Sequence, residues 1–111
     1  MKNISTDINF EEEINAKDQL VLVDFFATWC EPCSVLGPIL EKLSGHFEGK
    51  IIFEKADINN IPVTAQKFGV DRIPNVILFK NGKPIGSFVG LIPENAIKEW
   101  LENILKNNIE K

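Results

Sequence analysis

Thiols, imidazoles and long apolar runs are scarce in this 111-residue chain, which has two cysteines and one histidine. That inventory leaves little for a structural zinc site, which takes four Cys, His or carboxylate ligands. The longest apolar run, "LVLVDFFATW", is interrupted by Asp24 and falls well short of the ~20 residues that span a bilayer as a helix. Positive charge is in deficit too. Twelve Lys and Arg stand against sixteen Asp and Glu, for a formal charge of -4. Such a balance argues against sequence-independent nucleic-acid binding, which needs a basic surface to displace counterions. It also disfavours an anionic membrane surface. The opening "MKNISTDINFEEEI" has no apolar h-region and turns acidic at once, so no secretory signal is expected. No linker, repeat or low-complexity segment interrupts the chain.

What remains is ordinary globular material. With 44% hydrophobic and 25% charged residues, the composition is that of a folded domain. The length suits one domain over residues 1–111, with a single core. A cytoplasmic location is expected, and in that compartment thiols are kept reduced. A cysteine pair there points to catalysis or metal binding rather than to a permanent staple.

The pattern along the chain predicts four helices and four strands. "FEEEINAK" (10–17) reads as a short acidic helix. "QLVLVDFFA" is apolar almost throughout, as a strand covered on both faces requires. Val35, Leu36, Ile39, Leu40, Leu43 and Phe47 then form one helical stripe, with Pro38 predicting a kink. "KIIFEKAD" is a second strand, and "PVTAQKFG" a short helix closed by Gly69. "NVILFK" and "KPIGSFVG" flank Asn81-Gly82, the pair that accepts a type I′ hairpin turn. A last helix, opened by Pro93 and Glu94, carries Ile97, Trp100, Leu101, Ile104 and Leu105 on one face. A βαβ unit gives a parallel pair and the hairpin adds antiparallel strands. The expected fold is an α/β mixed sheet with helices on both faces.

Both cysteines fall in "ATWCEPCSVL", where the first strand ends and the long helix begins. Pro32 suits the first helical turn. Free amide N–H groups and the positive end of the helix dipole would face Cys30. Both favour the thiolate, which is the nucleophile. Cys33, one turn further in, would be partly shielded yet able to close a disulfide. That arrangement suits exchange chemistry: Cys30 attacks a substrate disulfide and Cys33 resolves the mixed disulfide. Two alternatives stand beside it, a zinc site using His46 and a pair of buried packing cysteines. Asp24, six positions before Cys30 in an apolar strand, is costly to bury and should have a raised pKa.

"WCEPC" preceded by "VDFFA" resembles the active site of the thioredoxin family, whose usual form is Trp-Cys-Gly-Pro-Cys. The similarity continues through "PILEKL", "KADIN", "FGVDRIPN", "LFKNG" and "FVG", and so covers essentially the whole chain. It implies the thioredoxin fold, a central mixed sheet flanked by four helices, in a protein-disulfide reductase. Its redox group would be the Cys30–Cys33 dithiol, with no other cofactor. Its partners would be disulfide-containing client proteins and a flavin-dependent reductase, acting on a monomer. The resemblance makes Asp24 the buried active-site acid, a proton acceptor for Cys33, with Lys55 modulating its charge. It makes the Ile73–Pro74 bond cis and assigns Trp29, Ile73, Pro74, Gly90 and Leu91 to an apolar docking surface. There Ile73 would pair through its backbone with an extended client.

Four positions depart from the family pattern: Glu31 replaces Gly, Ser34 a basic residue, Asn75 a Thr, and Phe26 a frequent Trp. Glu31 and Ser34 reduce positive character near Cys30, which should raise its pKa modestly and favour the reducing side. Arg72, two residues before Pro74, is expected to face the motif and approach Glu31.

Overall fold

The computed structural model describes residues 1–15 and 18–109. The elements in chain order are β1 (Lys2–Asn3), α1 (Asp7–Ile14), β2 (Leu20–Phe26), α2 (Glu31–His46) and β3 (Ile51–Asp57). They continue with α3 (Pro62–Lys67), β4 (Asn75–Lys80), β5 (Lys83–Val89) and α4 (Glu94–Ile109). Five strands form one sheet in the order β1-β3-β2-β4-β5. β1 and β2 lie parallel to β3, while β4 runs antiparallel to β2 and to β5.

Central placement explains why β2 reads as unbroken apolar sequence. Leu20 and Leu22 point toward α2 and α4, where Leu36, Leu40, Leu43, Ile97 and Leu101 complete one core. Val21, Val23 and Phe25 point the other way, into a core with Phe10, Ile14, Ile61 and Phe79 beside α1 and α3. Side chains alternate across a strand, so a strand with helices on both faces needs apolar residues at every position. Asp24 is the exception, 2% exposed on the α2 face.

The hairpin follows its turn chemistry. Asn81 and Gly82 have φ of 51° and 79°, both positive as a type I′ turn demands. Gly69, at φ 66°, ends the turn after α3.

Three expectations need correction. The first helix spans Asp7–Ile14 rather than 10–17, because Thr6 caps it, its side chain accepting from the Asn9 N–H at 3.1 Å. Ala16 and Lys17 lie outside the described residues. β1 was not foreseen, since two residues are too few for any periodic signal; its pairing with β3 holds it in place. Val35 is not a core residue. It is 48% exposed, because the buried stripe runs through Leu36, Leu40, Leu43 and Phe47, about 100° round the helix from Val35.

Candidate functional site

Cys30 is the N-cap of α2, with Glu31 and Pro32 opening the first turn. The Cys33 N–H donates to Cys30 Sγ at 3.3 Å. A sulfur held there faces the unpaired amides and the positive end of a sixteen-residue helix. Negative charge on Cys30 is thereby stabilised. Cys30 and Cys33 are joined as a disulfide with Cα atoms 5.3 Å apart. Both are shielded, at 8% and 5% exposure, rather than Cys33 alone. Trp29 stands out of the surface at 70% exposure.

Beneath the pair lies a cavity of about 240 Å³ lined by Asp24, Phe26, Cys30, Cys33, Pro38 and Lys55 among others. Asp24 and Lys55 are register partners on β2 and β3, and Lys55 Nζ sits 5.8 Å from the Phe26 ring centroid. Asp24 Oδ1 meets no hydrogen-bond donor among the described residues. Burial pushes the Asp24 carboxyl up to about 6, and the Lys55 charge opposes the rise. A buried carboxyl that titrates near neutrality and shares a cavity with two sulfurs can take and return a proton.

The second wall comes from the loop before β4. The Ile73–Pro74 peptide bond is cis, and Ile73 packs against the cluster of Ala27, Cys30 and Cys33. The Gly90 N–H donates to the Pro74 carbonyl at 2.8 Å, which ties the end of β5 to this loop. Leu91 follows, exposed. Glu31 and Arg72 are both exposed, and among the described residues no ion pair joins them. Among the described residues, Glu31, which directly follows Cys30, has no ion-pair partner. Ile58, not foreseen, also packs on the cysteine cluster. It directly follows β3, and nothing in its local sequence marks it.

Zinc chemistry finds no support in the placement of the imidazole. His46 closes the far end of α2, 3.7 Å from Glu102 Oε2. Sixteen helical residues put it about 20 Å or more from Cys30. Nor do the cysteines merely fill space, since they line a cavity with an ionisable group.

A family model described as "Thioredoxin" matches residues 2–103. The chain is 43% identical over 98 residues to "Thioredoxin 2" of Chlorobaculum tepidum, covering 88% of this chain and 90% of that one. It is 45% identical over 98 residues to "Thioredoxin" of Rickettsia bellii, covering 88% and 93%. Against "Thioredoxin" of Staphylococcus haemolyticus the identity is 44% over 100 residues, covering 90% and 94%.

Proposed function

We propose, from the premise that this chain belongs to the thioredoxin family and is a thiol–disulfide oxidoreductase, that it works as a protein-disulfide reductase with Cys30 attacking and Cys33 resolving. In the reduced state the Cys30 thiolate attacks one sulfur of a client disulfide. A Cys30–client bond forms, the client S–S bond breaks, and the second client sulfur leaves as a thiolate that takes a proton. Cys33 then gives its proton to Asp24 and attacks Cys30 Sγ. The Cys30–Cys33 bond forms as the Cys30–client bond breaks, and the client sulfur leaves as a thiolate that takes the proton from Asp24, so both client sulfurs are reduced. Two electrons have passed from protein to client. Lys55 limits how far the Asp24 carboxyl rises, so that it is ionised and ready to accept at neutral pH.

The observation that carries the proposal is the shared cavity. Cys30, Cys33, Asp24 and Lys55 all line it. Trp29, Ile73, Pro74, Gly90 and Leu91 would form the groove around it, with the cis bond leaving the Ile73 backbone free to pair with an extended client. A flavin-dependent reductase would return the electrons. We read residues 1–111 as one domain acting as a monomer in the cytoplasm, a compartment that keeps thiols reduced.

Two measurements test the assignment. Cys33→Ser should accumulate mixed disulfides at Cys30 with client proteins, whereas Cys30→Ser should accumulate none. A reduction potential of about -270 mV or below marks a reductant. A value near about -180 mV or above would mark an oxidant or isomerase instead.

A further inference from the structure

Val35 is a large apolar side chain left in water, one helical turn from Glu31, a carboxylate with no ion-pair partner among the described residues. Residues four apart on a helix are surface neighbours. Trp29, two residues before Glu31, is the most exposed aromatic beside the sulfurs. The start of α2 therefore presents an exposed indole, a free carboxylate and an exposed valine in succession. Neither the exchange chemistry nor the core uses Glu31 or Val35.

We propose that Trp29, Glu31 and Val35 form a specificity patch that selects client disulfides flanked by arginine or lysine. The proposal rests on the reductase reading above and adds a substrate class to it. A long basic side chain suits all three groups. Its aliphatic stem covers apolar surface such as Val35 while its charged head reaches outward. A guanidinium stacks on an indole face and pairs with a carboxylate. An acidic flank meets Glu31 instead and is repelled. Arg72 is also exposed, and among the described residues it forms no ion pair with Glu31. The carboxylate is thus free for a client.

Two cyclic disulfide peptides test this, identical except that both cysteines are flanked by Arg in one and by Glu in the other. Reduced protein is mixed with each, and the second-order rate constant is read from tryptophan fluorescence. Taking the ratio of the two rates cancels any effect of Glu31 on the intrinsic reactivity of Cys30. The wild-type ratio should favour the Arg peptide, and Glu31→Gln should lower that ratio about fivefold, the upper range for one exposed ion pair. The difference should shrink in 0.5 M salt, where the Debye length falls to about 4 Å. Val35→Ser, which keeps the charge, should lower the Arg-peptide rate about twofold through lost stem contact. Equal ratios in wild type and Glu31→Gln overturn the proposal while leaving the reductase reading intact. Failure of the wild type to reduce either peptide overturns both.

Discussion

Glu54 should make the fold weaken as pH rises from 6 to 8, and Glu54→Gln should abolish that loss. The residue sits on β3 opposite Lys2 of β1, is 1% exposed, and neither carboxyl oxygen meets a hydrogen-bond donor among the described residues. Its neighbours on the covering elements are Glu13 of α1 and Lys2, themselves paired at 3.0 Å, with Glu12 acting on Lys2 from further off. Burial, reinforced by Glu13, pushes the Glu54 carboxyl up to about 8, against the partial relief of Lys2. Protonated, Glu54 can donate to Glu13, whose own carboxyl is held low by Glu54 and Lys2. A carboxyl whose pKa is raised in the folded state contributes stability that is complete below its unfolded value. That contribution is lost as pH climbs through the folded value. Asp24 has the same sign, but its window closes near 6, and the lowered Glu13 titrates below the ordinary carboxylate range. Between pH 6 and 8 the slope is therefore that of Glu54. One proton over this interval is worth about 2 kcal/mol, or about 8 °C in Tm for a domain of this size. Gln keeps the shape and donates an N–H to Glu13 at every pH. Thermal unfolding of the oxidised protein, wild type against Glu54→Gln, should give a falling Tm in the first and a flat one in the second. Parallel slopes would refute the buried-proton argument.

Two further substitutions probe the site and the scaffold. Asp24→Asn should slow release of the mixed disulfide tenfold or more at pH 7 to 8, within the usual range for a lost acid–base group, and should remove any inflection near pH 6 from that step. The same variant should be more stable than wild type at pH 7, by at most about 3 kcal/mol, because it removes a buried charge; an unchanged release rate would sink the proton-acceptor role. Gly82→Ala should cost about 1–3 kcal/mol in denaturant unfolding. Its φ is +79° and the added methyl would meet the side chain of Asn15; a cost below a few tenths of a kcal/mol would show that the turn relaxes freely.

Much of this architecture was legible because local and global signals agree. Asn81-Gly82 forces its turn wherever it stands, and β2 declares a two-sided core by lacking polar alternation. The cysteines sit at a junction that the strand and helix patterns locate independently. What was not legible depends on elements far away in sequence. Glu54 lies in "FEKAD", where alternation would send a charge to solvent; only α1 and β1, folded over that face, bury it. Val35 belongs to the apolar set by composition, yet the helix turns it outward by a single residue step. The exact start of α1 was hidden because the Thr6 cap outranks the apolar residue taken as its beginning. Arg72 and Glu31 are both exposed and form no ion pair among the described residues, and sequence distance says nothing about whether such side chains meet.

Asp24 and Glu54 show how one physical effect yields two roles. Both are carboxyls buried in the same sheet, and burial is the first cause of the rise in each. Asp24 faces α2, where a lysine one strand away offsets the penalty and a cavity connects it to the sulfurs. Its value near 6 leaves it ionised at neutral pH, as the proposed proton transfer from Cys33 requires. Glu54 faces α1, where Glu13 raises its pKa more than Lys2 relieves it. Its value near 8 leaves it protonated at neutral pH, a donor to Glu13 with no opening to the sulfurs. Exchanging their surroundings would exchange their chemistry. The residues that tune each carboxyl are therefore distant in sequence: Lys55 across the sheet for Asp24, and Lys2 across the sheet with Glu13 of α1 for Glu54.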